Sequence, residues 1–410
     1  MDRFLPPLYH VVFASLLHLL LPLVCRRLPY SFYFDRSLCG EASDGRTEEE
    51  AAFKQLANIA SSSRELVNVN IVSSNKDLSK NERREGEHLQ LAQDGQSQLA
   101  VLVLTARRQG GVSYLGRSLL ALHKEALAAT RPPLVFVCTG EEAFQVKELP
   151  FPFLKPNTSL PNPKDANQKA NRDFVFCARQ LEIEIWNNNS VKHILIMEDD
   201  AVVMDGFFTI LSAWMTFHKE RLQSEPWQDL KLYLNPSLRG WAWELPILVE
   251  LFAVTLLLTL VFHAILTRLQ KTRVQSKHWL SFFFLYLSIL IALLLLGRQH
   301  WIQWRRLHPQ LYLRKDAPNH GTPAVLYPRQ RLLGAAQFLE QNIDTSTPFD
   351  LALGKYRRKL GIAGHLLEPN LVRHVGAFST FGEAYDQKFR GHRELEVKYR
   401  ICAKIHHFLF

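Results

Sequence analysis

KHILIMEDDAVV, residues Lys192–Val203, decides the fold. HILIM (His193–Met197) is a short aliphatic run, the pattern of a strand buried on both faces. Glu198-Asp199-Asp200 follows at its carboxyl end. Open α/β sheets bind ligands outside the carboxyl ends of their strands. Three acids placed there, with the apolar Ala201–Val203 behind them, can hold a hard divalent cation that bridges a diphosphate. The blander alternative is a solvated acidic turn, but apolar runs on both sides argue against mere surface decoration.

The chain upstream repeats the same kind of strand. LAVLVLT (Leu99–Thr105) leads into a basic, glycine-rich turn at Ala106–Gly111 and a helical pattern over Tyr114–Ala129. Pro132 and Pro133 precede LVFVCT (Leu134–Thr139), and a proline-rich loop covers Pro150–Pro163. Phe174, Ala178, Leu181 and Ile185 then recur at helical spacing within Asn171–Trp186. Strand, helix, strand, loop, helix, strand is an α/β layout of nucleotide-binding character. Downstream, Pro323–Pro328 reads as a strand and Gly334–Leu339 as helical. Pro348-Phe349-Asp350 opens a helix to Arg358. In LLEPNLVRHVGAFST (Leu366–Thr380), His374 follows a short apolar strand, a place where a lone histidine is more often structural than a ligand.

Three apolar runs interrupt this pattern. Leu8–Val24 carries His10, His18 and Pro22, and its length fits a signal peptide or an anchor. Without a clear small-x-small cleavage site before Cys25, an uncleaved anchor is favoured. Pro246–Thr267 and Trp279–Gly297 are each about 20 residues, the length of a membrane-spanning helix, and only Glu250 is charged. Trp241, Trp243, Trp279, Trp301 and Trp304 at their edges suit an interfacial belt. Arg268, Lys271, Arg273 and Lys277 in the intervening loop place it in the cytosol by the positive-inside rule. Arg26, Arg27, Arg298, Arg305 and Arg306 then stand on the luminal side, against the rule. Sequons at Asn157 and Asn188 lie in the luminal part, and an oxidising lumen allows some of Cys39, Cys138, Cys177 and Cys402 to pair.

The averages conceal this contrast. A chain of 410 residues predicts two to three domains of about 150 residues each. The charged fraction of 21% and hydrophobic fraction of 47% exclude a wholly disordered chain. The mean hydropathy of −0.09 argues against a channel or transporter built mainly of membrane helices. The net charge of +10 admits nucleic acid, anionic lipid or a nucleotide phosphate. Its basic residues border membrane spans and no aromatic-basic reading motif appears, which argues against nucleic acid. Glu48–Ala60 fits an amphipathic helix, and the polar Ser61–Gln98 reads as a stem or linker.

KHILIMEDDAVV, the split of the α/β pattern by two spans, and EPNLVRHVGAFSTF (Glu368–Phe381) together resemble the Golgi GPI-anchor side-chain N-acetylgalactosaminyltransferases, the family of post-GPI-attachment to proteins factor four. The resemblance covers residues 99 to about 381. It implies a GT-A glycosyltransferase domain interrupted by a transmembrane hairpin. The expected parts are an anchor at 1–27, a stem at 28–98, catalytic segments at 99–245 and 298–382, a hairpin at 246–297 and a tail at 383–410. The implied reaction transfers GalNAc from UDP-GalNAc, in β linkage and with inversion, to the first mannose of the GPI glycan. Asp200 would ligate Mn²⁺, joined by His374, while Glu198 lies near the ribose. Glu198, Asp199 and Asp200 would contact the donor, as would Arg107 and Arg108, although the family tends to carry an acid where Arg107 stands. Asp350 is the expected general base and Glu368 its rival, with a plain helix-capping carboxylate as the other reading of Asp350. Asp173 also matches a family acid, and a Cys138–Cys177 disulfide follows from matching cysteines.

Two other readings compete. An N-acetylglucosaminyltransferase IV-like branching enzyme shares the HVG signature but does not require the hairpin. A non-catalytic membrane scaffold of transferase fold does not require Glu198-Asp199-Asp200, Asp350 and His374 to be intact.

Overall fold

The computed structural model describes residues 46–72, 98–107, 113–141, 149–156, 163, 165–269, 278–342 and 347–376, with scattered positions between 15 and 25. The described residues divide into two compact units, one formed by 46–234 with 305–376, the other by 235–304 with the scattered N-terminal positions.

The larger unit is mixed α/β. Its elements run α1 (Arg46–Val72), β1 (Leu99–Leu104), α2 (Leu115–Ala128), β2 (Leu134–Cys138), β3 (Phe153–Leu154), α3 (Ala166–Glu184), β4 (His193–Glu198), β5 (Ala201–Val203), α4 (Phe207–Phe217) and β6 (Trp227–Lys231). After the smaller unit, where α5 (Leu245–Leu269) and α6 (His278–Leu296) lie, come β7 (Leu313–Asp316), β8 (Ala324–Pro328), α7 (Arg329–Gln341), α8 (Phe349–Leu360), β9 (Ala363–Glu368) and β10 (Val372–His374). Eight strands form one sheet in the order β3-β2-β1-β4-β8-β6-β9-β7, and β10 pairs with β5 in a second, two-stranded sheet. β1 runs parallel to β2 and β4, whereas β8 enters antiparallel between β4 and β6.

Alternation along the strands explains why helices cover both faces. Val101, Val103, Leu195 and Met197 pack with Leu115, Leu119 and Leu122 of α2 and with Phe207, Leu211 and Trp214 of α4. Ala100, Leu102, Ile194 and Ile196 face the other way, onto Phe174, Ala178 and Leu181 of α3 and Leu332, Ala336 and Leu339 of α7. Each such aliphatic side chain, fully buried, contributes about 1.5–3 kcal/mol. Asp165 starts α3 by accepting the Gln168 amide at 2.8 Å, one of the helix's unpaired first-turn donors.

Several expectations change. The helix foreseen at Glu48–Ala60 continues to Val72, so the first part of the expected linker is helical. It belongs to the α/β unit: Leu56 is fully buried in the core beside Leu115 and Leu119. β6 and β7, polar in composition, were not expected as strands. Trp227-Gln228-Asp229-Leu230-Lys231 is a buried strand whose Gln228 amide nitrogen, Asp229 carboxylate and Lys231 ammonium meet partners brought from far along the chain. Most of the anchor region, the sequon Asn157, Arg108, the loop Lys271–Lys277 and the chain after Gly376, with the expected tail at 383–410, lie outside the described residues.

In the smaller unit, α5 and α6 are long and apolar enough to cross a membrane, with a mean hydropathy of 2.5 in each. They pack along Leu251, Leu285, Ile289 and Leu293, while Phe252, Leu256, Leu260 and Phe283 point outward. The Thr255 and Thr259 hydroxyls donate one turn back, to the Leu251 and Thr255 carbonyls, which satisfies them without a partner helix. Glu250 and Arg298, both off-pattern in the sequence, form a pair: Nη2 and Nε donate to Oε2 at 2.9 and 3.1 Å, and Arg298 is 1% exposed.

Candidate functional site

β4 ends at Glu198, and the chain turns through Asp199 and Asp200 into β5. Side chains two apart point the same way and the one between them points back. Glu198 and Asp200 accordingly gather with His374, their ligand atoms all within 4.8 Å of one another. Asp199 turns away, and its Oδ2 accepts the Thr105 hydroxyl at 2.8 Å in the buried end of β1. The acidic triplet thus splits into two cluster members and one residue that ties the turn to the sheet.

β10 supplies the histidine. It runs antiparallel to β5 and pairs His374 with Ala201, Arg373 with Val202 and Val372 with Val203. The Val375 amide donates to the Asp200 carbonyl at 2.7 Å, and His374 Nε2 stands 3.2 Å from Asp200 Oδ2. Gly376 is required here, because a Cβ would collide with the Asp200 carboxylate. Tyr233 stacks at a tilt on the His374 ring, centroids 5.8 Å apart. On the far side of β5, the Ser118 hydroxyl donates to the Ala201 carbonyl at 2.6 Å.

A loop at 317–322 joins this cluster to α8, which carries Asp350 in its first turn. The Thr322 hydroxyl donates to Glu198 Oε1 at 3.1 Å. Lys231 Nζ donates to the His320 carbonyl at 2.7 Å. Arg357 Nη2 donates to the Pro318 carbonyl and Asn319 Oδ1, while its Nη1 pairs with Asp229 at 3.3 Å. Gly354 admits this loop, since a Cβ there would meet Asn319 Oδ1 at 2.6 Å. Burial lowers the Lys231 ammonium to a pKa of about 8, against the opposing pull of Asp229, while Arg357 lowers it further and Asp350 raises it. The Asp350 carboxylate therefore stands within electrostatic reach of Lys231. Its Oδ1 accepts the Leu351 amide at 2.8 Å, and Pro348 takes the capping position.

The other expected residues fall in two places. Glu368, 2% exposed, meets Lys315 Nζ at 2.9 Å and Arg305 Nη1 at 3.4 Å. Arg107 donates its backbone amide to Glu141, which also accepts Lys169 Nζ at 2.7 Å. Lys169 continues to Asp173, which Arg172 holds from the other side and against which Gly140 packs too closely for any Cβ. Cys138 and Cys177 are disulfide-bonded one helical turn beyond Asp173, with Cα atoms 5.8 Å apart. The partly buried Asn188 accepts the Ser190 amide and hydroxyl on its Oδ1.

The family comparison bears on this arrangement. Residues 99–373 match the family described as GPI-N-acetylgalactosamine transferase PGAP4. The chain belongs to that family. As a family glycosyltransferase it acts with a nucleotide-sugar donor and a glycan acceptor, and the match spans both the acidic turn and all but the last residue of β10. Sequence reading missed Thr105, Thr322, Lys231 and Arg357. A lysine and an aspartate inside an otherwise buried strand, WQDLK, were the available signal for Lys231 and Asp229.

The donor set can be tested against a divalent metal. Ligands on opposite sides of one ion stand about 4–5 Å apart for bonds of 2.0–2.6 Å, which the cluster satisfies. Two carboxylates with one imidazole form a mixed oxygen-nitrogen set, open to a divalent ion such as Mn²⁺.

Proposed function

We propose that this protein is an inverting GT-A hexosaminyltransferase of the Golgi lumen. In this reading it transfers GalNAc from UDP-GalNAc, in β linkage, to the first mannose of a GPI-anchor glycan. The observation that carries it is the convergence of Glu198, Asp200 and His374 at the carboxyl end of β4, where α/β sheets receive ligands. When bound there, Mn²⁺ supplies positive charge that stabilises the leaving diphosphate.

Asp350 is the base. Its carboxylate takes the proton of the acceptor hydroxyl as that oxygen bonds to the anomeric carbon and the bond from that carbon to the diphosphate oxygen breaks. One displacement turns an α-linked donor into a β product and releases UDP. Glu368 is the poorer choice: it is out of solvent and already engaged by Arg305 and Lys315, so an acceptor hydroxyl has no path to it. The loop at 317–322 sets Asp350 and Glu198 relative to each other in this reading, because Arg357, on the helix of Asp350, donates to its Asn319 while its Thr322 donates to Glu198. Arg107 and Arg108 face the donor diphosphate in this reading.

Residues 1–27 anchor the chain, and α5 and α6 span the membrane with the loop at Lys271–Lys277 in the cytosol. An acceptor tethered to the bilayer is then met at high effective concentration. Asn157 and Asn188 are luminal glycosylation sites in this topology.

The test uses the purified full-length protein with radiolabelled UDP-GalNAc or UDP-GlcNAc and a GPI-glycan acceptor, with and without Mn²⁺. Mn²⁺-dependent transfer from UDP-GalNAc is expected. No turnover of any donor overturns the enzyme reading. Glycosylation tags placed in the loop at Lys271–Lys277 are expected to stay unmodified.

A further inference from the structure

The smaller unit is inserted between Leu234 and Arg305, so the α/β unit has two chain ends to hold together at that point. One short turn, Glu368-Pro369-Asn370, meets both. On the outgoing side, Asn370 acts as a stand-in strand for Leu234. Its Oδ1 accepts the Leu234 amide at 2.8 Å, and its Nδ2 donates to the Leu234 carbonyl at 2.9 Å. On the returning side, Arg306 Nη2 donates to the Asn370 carbonyl at 2.9 Å, and Arg305 reaches Glu368. Lys315 completes the ion pairing of Glu368 from β7.

The same turn feeds straight into the strand that bears the histidine. Leu371 donates its amide to the Leu232 carbonyl at 3.0 Å and accepts the Met204 amide at 3.0 Å. Val372, Arg373 and His374 follow as β10, paired to β5 directly after Asp200. His374 is four residues from Asn370, and its approach to Asp200 depends on where β10 starts.

We propose that Asn370, with Glu368 and Arg306, is a clasp that holds together the outgoing and returning chain of the α/β unit at the insertion point and in doing so positions His374 against Asp200. Asn370 is a positioning residue, acting on the metal cluster through β10. Glu368 has its role here, in ion pairs with Arg305 and Lys315. The inference rests on the metal reading proposed above and adds that the chain flanking the insertion, on the α/β side, and the cluster share one fastening. Residues that orient a metal ligand typically govern affinity by about 10- to 100-fold.

The experiment uses full-length protein in detergent, as wild type, Asn370→Ala, Asn370→Asp and Arg306→Ala. Arg329→Ala serves as a control for general destabilisation, because it breaks the Glu182 pair at the opposite end of β4. Two readouts are taken: the Mn²⁺ concentration that half-saturates the thermal shift, and the Mn²⁺ dependence of transfer. Asn370→Ala and Arg306→Ala are expected to raise both midpoints by about tenfold and to regain near wild-type kcat at saturating Mn²⁺. Asn370→Asp keeps the acceptor for Leu234 but loses the donor, and its midpoint is expected between wild type and Asn370→Ala. Arg329→Ala is expected to lower the melting temperature without moving either midpoint. An Mn²⁺-responsive wild type with unshifted Asn370 and Arg306 variants overturns the clasp alone. A loss that saturating Mn²⁺ does not restore also overturns it. A wild type that shows no response to Mn²⁺ removes the metal reading and the clasp with it.

Discussion

His374 Nε2 lies 3.2 Å from Asp200 Oδ2, although 173 positions and the whole hairpin separate the two residues in the chain. The contact exists because β10 pairs with β5 immediately after Asp200. Replacing Asp200 by Ala is expected to lower transfer by about 10²–10³-fold, the scale of losing one group that stabilises transition-state charge. Replacing His374 by Ala is expected to cost less and to be partly recovered by excess Mn²⁺. Sugar transfer from UDP-GalNAc measures both, and wild-type turnover in Asp200→Ala would sink the metal assignment.

Asp350 and Glu368 make opposite predictions. Asp350→Asn is expected to lower kcat by about 10²–10⁴-fold with donor binding retained, the range for loss of a general base. Glu368→Gln leaves Arg305 and Lys315 facing a neutral amide and is expected to lower the melting temperature while keeping more of kcat. The reverse outcome would exchange the roles of the two acids.

Lys231 gives a stability prediction with a definite sign. Burial lowers its pKa from 10.5 to about 8, so between those values the unfolded chain binds more protons than the folded one. Folded stability therefore rises with pH across that window, by up to about 1.4 kcal/mol per unit, and is flat in this respect below about pH 8. Lys231→Met removes the slope. Denaturant melts of both proteins at pH 7.5 and 9.5 check it: the wild type should gain relative to the variant at the higher pH.

The helix α1 is expected to be indispensable to the α/β unit. Glu49 accepts the Gly116 amide at 2.6 Å and the Arg117 amide at 3.2 Å, capping α2, and Leu56 is fully buried. Leu56→Ala is expected to cost about 2–5 kcal/mol, read as a lower melting temperature. An unchanged melting temperature would return the helix to the role of an independent stem.

The Cys138–Cys177 bridge closes a separation of 39 residues, worth about 4 kcal/mol by the loop-closure relation. Replacing both cysteines by Ser is expected to lower the melting temperature by roughly 10 °C at the sensitivity of a domain of 150–250 residues. Reducing agent should do the same to the wild type and nothing to the variant.

Local chemistry made much of this chain legible. Aliphatic runs as dense as Leu99–Leu104 and His193–Met197 have few alternatives to a buried strand, and β1 and β4 lie where those runs predict. The apolar lengths of α5 and α6 were equally plain. Glu198, Asp199 and Asp200 were legible as a candidate site because they follow the carboxyl end of a buried strand, where α/β sheets receive ligands. The strand WQDLK hid its nature, since its Gln228, Asp229 and Lys231 side chains meet Arg331, Arg357 and His320, about 90 to 130 residues away. Asp199 differs from its neighbours through a tertiary contact alone, the hydroxyl of Thr105 that it accepts.

By itself, then, the sequence determined the aliphatic strands, the two long apolar helices and the acidic turn, because each rests on burial or charge within a few residues. Only the tertiary structure decided which acids face His374, which cations Glu368 meets and that Asn370 pairs with Leu234. Those outcomes depend on pairings between distant strands, which no local preference encodes.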